Sequence, residues 1–272
     1  MNRIEQVRKL LSPAAMIFHD HFGILPGRPD MDSLFDISAL FGQLPWENLT
    51  KFLRKARVGA LRRTPEEVLR EHVELGAGGT CFSLTEALGE ILASSGFRTR
   101  PVMGDMQHGT NIHCAVLVEM PGGENYLLDP GYLVREPVRL DPGTETILKS
   151  GSETLVYRTE DGNSWDMFTS GFEGCRHRYR IKLAKVSRDS FRQFWNDSFD
   201  APGMNGLHLS RAVDGVRLYA HNQNLRVVDS RGKRNVKLRS DYADRIAEAF
   251  GISRDIASMA WEELGRARCL TD

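Results

Sequence analysis

The sequence predicts an α+β protein. Apolar residues recur at helical spacing along residues 1–95, the period shortens towards two from residue 97, and the tail after residue 190 mixes strands with helices. Helices gathered first and strands gathered next point to segregated layers, not to the alternation that builds a doubly wound sheet. Three regions are expected: a helical one over 1–95, a strand-rich one over 96–190 and a mixed one over 191–272.

The elements follow in chain order. MNRIEQVRKLLSPAAM reads as an amphipathic helix through Ile4, Val7, Leu10 and Leu11 that breaks at Pro13, since proline in a helix interior removes a hydrogen bond and clashes with the preceding turn. Asp32 or Ser33 can cap a helix carrying Leu34, Phe35, Ile37, Leu40 and Phe41. Thr64-Pro65-Glu66-Glu67 combines an N-cap threonine, a proline at the first helical position and a glutamate at the third. Val68, Leu69, His72 and Val73 then share a face, with His72 expected to be buried and hydrogen-bonded, while His19 and His21 are expected at the surface. After a turn at Gly76, Cys81 opens a helix with Leu84, Leu88, Ile91 and Leu92 at helical spacing. TRPVMG, HCAVLVEM, NYLLDP, ETLVYRTE and RIKLAKVS read as strands, with PGG at 121–123 as a hairpin turn. Ser187–Phe199 reads as a short aromatic-rich helix, VRLYA, NLRVV and NVKLR as strands, Tyr242 to about Phe250 as a helix, and a shorter helix follows near Ile256.

Composition excludes several classes. Lys+Arg and Asp+Glu both total 36, so no global field draws the chain to nucleic acid or an anionic membrane. No apolar run approaches the ~18 residues of a membrane span, and the N-terminus lacks the apolar core of a signal peptide. Four cysteines in 272 residues, none spaced C-x-x-C, do not form a disulfide framework, and a reducing cytoplasm is the expected setting. No metal is expected: His108, His113, Cys81 and Cys114 lack the short ligand pairs of a zinc site.

Cys81 carries the chemical question. Gly78 and Gly79 allow a tight turn before it and leave room for an acyl group beside it; a helix N-terminus favours the thiolate over the thiol. A buried, inert cysteine remains the competing reading. A base is at hand, because His113 and Asp129 lie on two strands that flank one tight turn and fall within two or three positions of each other. On one face, Asp129 would fix the imidazole tautomer and His113 would take the thiol proton, the logic of nucleophile, base and orienter. Asp129 before Pro-Gly also fits a plain turn residue, and Cys114, next to His113, should point to the opposite face and pack. Cys175 and Cys269 have no partner set.

At these residues the sequence resembles the arylamine N-acetyltransferase family. The family's R-G-G-x-C-F-E appears as A77-G-G-T-C-F-S83, its histidine opens a strand like H113-C-A-V-L-V-E119, its D-x-G-F-G appears as D129-P-G-Y-L133, and I-P-F-E-N-L as L44-P-W-E-N-L49. W195-N-D-S-F199, Pro202 and the strands LYA and LRVV fit the tail. The resemblance implies a helical N-terminal domain, a small central β-barrel and a C-terminal α/β lid around a cysteine-protease-like core. It also implies ping-pong transfer from acetyl-CoA or another acyl-CoA co-substrate, through a Cys81 thioester, to an arylamine, hydrazine or hydroxylamine, with no tightly bound cofactor. Trp46, Gly79, Tyr132 and Leu133 would then line the substrate pocket. Trp46 and Tyr132 replace phenylalanines, and Leu133 stands where the family has a glycine; Ala77 and Ser83 replace the motif's arginine and glutamate. The stretch 226–239 carries six basic residues, and Arg231, Lys233 and Arg234 either meet the donor's phosphates or form a solvated hairpin. The same three side chains also suit amide formation from a carrier-bound thioester, or a thiol hydrolase or transglutaminase-like enzyme. A binding module closed by Pro130 and Leu133 is the non-catalytic alternative.

Overall fold

Thr64 closes the capping box that its spacing predicts: its Oγ1 accepts from Glu67 N at 3.2 Å, and Glu67 Oε2 accepts from Thr64 N at 2.6 Å. The computed structural model describes residues 10–59, 61–150, 153–171 and 174–269. Among the described residues five helices come first, α1 (Pro13–Phe22), α2 (Met31–Phe41), α3 (Leu49–Val58), α4 (Pro65–Leu75) and α5 (Cys81–Ser94), with a two-residue strand β1 (Trp46–Glu47) among them. The proline expected to end the first helix begins the next one. Pro13 sits at the first helical position behind the Ser12 cap, where its missing N–H costs nothing; Ile4 and Val7 lie outside the described residues. Asp30, not Asp32 or Ser33, caps α2, because its carboxylate accepts from Ser33 N at 3.0 Å and the two predicted caps are already inside the first turn. His19, expected at the surface, is 4% exposed and faces Ser95 Oγ at 3.5 Å.

The next strands are β2 (Arg98–Met106), β3 (Gly109–Glu119), β4 (Asn125–Leu128), β5 (Val138–Arg139), β6 (Thr146–Ser150), β7 (Glu153–Arg158), β8 (Ser164–Gly171) and β9 (Gly174–Lys182). They form one antiparallel sheet in the order β5-β4-β3-β2-β9-β8-β7-β6, which curls until β5 lies against β6 and the barrel is nearly closed. Val102, Ala115, Leu117, Tyr157, Trp165, Met167, Tyr179 and Ile181 fill its interior. The other side of β3 and β4 (Val116, Val118, Leu128) packs on α1, α2, α4 and α5, so both faces of β3 are buried and it reads as a near-continuous apolar run.

Helix α6 (Arg188–Asp197) follows, and its Phe191 and Trp195 join Phe82, Met103, Cys114 and Phe199 in a small core between barrel and helices. A second antiparallel sheet runs β1-β10-β11-β12-β13, with β10 (His208–Val213), β11 (Val216–His221), β12 (Asn224–Asp229) and β13 (Gly232–Lys237). Its partners are α7 (Tyr242–Phe250) and α8 (Arg254–Cys269), whose Tyr242, Ile246, Phe250, Ile256, Ala260 and Leu264 pack with Leu207, Leu209, Ala220 and Leu225. α8 is longer than expected at 16 residues, since much of its buried stripe is alanine, Ala257 and Ala260. Among the described residues no helix is long and apolar enough to cross a membrane.

Candidate active site

Cys81 is the first residue of α5, preceded by Ala77-Gly78-Gly79-Thr80. The glycines are required by close approach. A Cβ on Gly78 would lie 1.7 Å from Pro45 O, and one on Gly79 would lie 2.2 Å from Ser83 Oγ and 2.6 Å from Arg63 Nη2. The space on that side is filled by protein, not left for an acyl group. Trp46, half-buried on β1, bridges to Gly79; Glu47 N donates to Gly79 O at 3.0 Å, and Gly79 N donates to Pro45 O at 3.3 Å. Asn48 ties this segment to the C-terminal part, donating to Gly206 O at 2.8 Å and accepting from His208 N at 2.8 Å.

The register of β3 and β4 pairs Val116 with Leu128, so Asp129 passes opposite Ala115 and His113 lies two residues further on the same face. His113 Nε2 meets Asp129 Oδ2 at 2.9 Å, with His113 3% exposed and Asp129 fully buried. The other carboxylate oxygen, Oδ1, accepts from Tyr132 N at 2.9 Å and caps the tight turn Pro130–Tyr132. Asp129 is thus turn residue and histidine partner at once. The His113 ring packs tilted against Tyr179, with centroids 4.5 Å apart and planes at 34°.

The ladder between β3 and β4 ends at Val116 and Leu128, and Cys81 occupies the edge of β3 beyond it, its thiol donating to Ile112 O at 3.8 Å. From an edge, one thiol can touch residues on both faces of the strand. Cys114 packs as expected, its sulfur 3.5 Å from Thr85 Oγ1 and its carbonyl accepting from that hydroxyl at 3.2 Å. Thr85 lies one turn beyond Cys81 on α5, which sets Cys114 beside the start of that helix.

The electrostatics follow from these contacts. Cys81 is held well below the ordinary thiol range by the hydrogen bond from Cys114, by the hydrogen bond and charge of His113 and by the charge of Lys51, against burial that raises it. Burial alone would pull His113 down; the charge and hydrogen bond of Asp129, joined by Cys81, push it up to about 10. Burial drives Cys114 well above the thiol range, so it stays a neutral donor. Lys51, lowered to about 8 by burial, donates to Ser198 O at 2.7 Å and to Ser198 Oγ at 2.6 Å and stands 4.6 Å over the Phe199 ring. Both shifts favour the charged forms, a thiolate at Cys81 and an imidazolium at His113, and Asp129 lies at the His113 Nε2 edge.

Sequence reading passed over Gly131. A Cβ there would lie 2.6 Å from Cys81 Cβ and 3.1 Å from His113 Cε1, so this glycine is what lets the turn close on the thiol. Its signal was the Pro-Gly step after Asp129. Tyr132 packs edge-on against Tyr179 at 5.8 Å, with the Arg217 guanidinium 5.8 Å over its ring, and burial pushes its phenol up to about 12. Leu133 is buried with φ 58° and ψ 34°, a left-handed conformation that suits glycine and costs a branched residue about 1–2 kcal/mol. The backbone thus keeps a glycine geometry under a leucine side chain. Arg231, Lys233 and Arg234 stand apart on the β12–β13 hairpin, four strands from β1, roughly 19 Å across the sheet at the usual spacing. Arg231 and Arg234 are mostly exposed, and both face Asp229, at 3.8 and 3.5 Å.

Solved structures share this fold. Arylamine N-acetyltransferase from Mycobacterium marinum is 20% identical with a TM-score of 0.78, covering 92% of this chain and 98% of that one. The enzyme from Salmonella typhimurium is 16% identical with a TM-score of 0.77, covering 93% and 99%. The Mycobacterium marinum enzyme in complex with CoA is 19% identical with a TM-score of 0.72, covering 87% and 94%. No curated protein sequence matches the chain. A family model described as N-acetyltransferase matches residues 30–258. The expected helical, barrel-like and α/β parts, the fold shared with arylamine N-acetyltransferases and this match over most of the chain agree: the protein belongs to the N-acetyltransferase family.

Proposed function

We propose that the protein is an acyltransferase working by double displacement, with Cys81 as nucleophile, His113 as acid and base, and Asp129 as orienter. The observation that carries this reading is the buried 2.9 Å bond from His113 to Asp129 beside a thiol at a helix N-terminus. The Cys81 thiolate attacks the carbonyl carbon of an acyl-CoA thioester, the carbon–sulfur bond to CoA breaks, and the departing thiolate takes its proton from His113. Acylation removes the negative charge that helped to hold His113 protonated, so the neutral imidazole can accept a proton from the incoming arylamine, hydrazine or hydroxylamine as it attacks. Collapse then releases the amide and restores the ion pair. Backbone N–H groups at the start of α5 would hold the oxyanion.

In this reading residues 1–95 supply the nucleophile, 96–190 the base and its orienter, and 191–272 the cover. Trp46, Tyr132 and Leu133 border the acyl and acceptor space, and Arg231, Lys233 and Arg234 meet the donor's phosphates. The CoA bound to the Mycobacterium marinum enzyme supports a CoA donor. A reducing cytoplasm would keep the thiol free.

Intact-mass spectrometry tests the proposal. Incubation with acetyl-CoA and no acceptor should add one acetyl mass, Cys81→Ala should abolish the adduct, and an aromatic amine should discharge it. A wild-type protein that stays unmodified by acetyl-CoA and by longer acyl-CoA thioesters would sink the reading.

A further inference from the structure

The motif that resembles the family has an arginine at the position of Ala77, and this chain has none there. The side chain of Ala77 is instead buried in the C-terminal core with Leu49 and Leu209. A guanidinium nevertheless reaches the same loop from elsewhere. Arg63, in the segment just before the Thr64 cap of α4, is 6% exposed and turns inward. Its Nη1 donates to Glu71 Oε2 at 2.5 Å; its Nη2 donates to Gly78 O at 2.7 Å and lies 3.4 Å from Ser83 Oγ and 4.0 Å from Glu47 Oε1. Ser83, which stands where the motif has a glutamate, donates in turn to Thr80 O at 3.1 Å. A carboxylate longer than serine would meet the space Arg63 occupies, so the two departures from the motif accommodate the guanidinium.

We infer that Arg63 is a positioning residue for the nucleophile: its fork, supplied from outside the motif, clamps the Gly78–Gly79 turn against β1 and so sets where Cys81 meets His113. The geometry is that of a vice. On one side Pro45 and Glu47 exchange backbone hydrogen bonds with Gly79; on the other Arg63 grips the Gly78 carbonyl and approaches the Ser83 hydroxyl. Glu71 anchors the fork to α4, whose start is locked by the capping box next to Arg63. A planar guanidinium can serve two acceptors with fixed angles; a lysine in its place could not hold both. The consequence is on orientation, because a displacement near 1 Å at a reacting group can cost on the order of 100-fold in rate.

The inference rests on Cys81 being the acylated nucleophile, and the experiment separates the two. Wild type, Arg63→Ala, Arg63→Lys, Glu71→Gln and Ser83→Ala are compared for melting temperature, for the rate of Cys81 acetylation by acetyl-CoA and by p-nitrophenyl acetate, and for the pH profile of Cys81 alkylation by iodoacetamide. If wild-type Cys81 accepts no acyl group from acetyl-CoA, from longer acyl-CoA thioesters or from p-nitrophenyl acetate, the functional reading fails; if only a longer thioester acylates it, that donor replaces acetyl-CoA in the comparison. With wild type active, folded Arg63→Lys and Glu71→Gln should lose about 10- to 100-fold in acetylation with both donors, and their alkylation profiles should move to higher pH; Arg63→Ala should lose more. Ser83→Ala should sit between wild type and Arg63→Lys. If Arg63→Ala does not fold, Arg63→Lys and Glu71→Gln decide alone. Variants that melt earlier but keep the wild-type acetylation rate and alkylation profile would show Arg63 to be merely structural and overturn the inference.

Discussion

At the scale of single residues, Asp129 concentrates the design. One carboxylate oxygen shapes the turn through Tyr132 N and the other holds His113. Asn at this position keeps an acceptor for Tyr132 while removing the charge behind the imidazole, so Asp129→Asn should fold and still lose acyl transfer by at least about 100-fold. Its alkylation profile should show the same loss. In the wild type, His113 stays charged up to about 10 and Cys81 is depressed, so the thiolate persists through neutral pH and iodoacetamide should react at a nearly constant rate there, slowing only where acid protonates the sulfur. In Asp129→Asn the rate should climb with pH through the neutral range, as for an ordinary thiol. Gly131 offers a steric counterpart. Its backbone needs no glycine conformation, so Gly131→Ala acts only through a Cβ 2.6 Å from that of Cys81, and single-turnover acetylation should fall on the order of 100-fold. The pairing of His113 with Asp129 was legible in the sequence because two strands around one turn restrict which residues can be neighbours. The link of Cys114 to Cys81 was not, because strand alternation says nothing of a partner sitting on the edge. Arg63 carried no local signal at all, since its partners lie 8, 15 and 20 residues on and its neighbours read as a plain helix start.

At the scale of elements, what the sequence showed well were features whose information is local: the α4 capping box, the hairpin at PGG, and the helix opened by Cys81. The strands it missed depend on distant partners. β8 buries Trp165, Met167 and Thr169 in strict alternation, yet one of those is polar and Asp166 interrupts the run. β10 buries only Leu209, and it exists because it pairs with β11 on one side and with Trp46 and Glu47 on the other. The β12–β13 hairpin is the element on which donor recognition is staked. Replacing Arg231, Lys233 and Arg234 together by Gln should raise the KM for acetyl-CoA about tenfold while the rate with p-nitrophenyl acetate, which has no phosphates, stays put. Equal losses with both donors would remove the hairpin from the binding surface.

At the scale of the molecule, the catalytic thiol proposed here is assembled from parts that lie far apart in the chain. The barrel delivers His113 and Asp129, the helices deliver Cys81, and β1 joins the second sheet to the glycine turn. Balanced charge, 36 acidic against 36 basic residues, leaves no bulk field to gather substrate, so in the proposed reading donor recognition falls to a local group, the basic hairpin. The division of labour also has a temporal side. β1 is held on one flank by Gly79 and on the other by Ser210 and Leu209. A ribosome has made Cys81 long before it makes residue 210, so during synthesis the nascent chain carries a sulfur whose turn still lacks its outer support. In the proposed reading, the turn that presents the nucleophile is therefore complete only once the second sheet has formed.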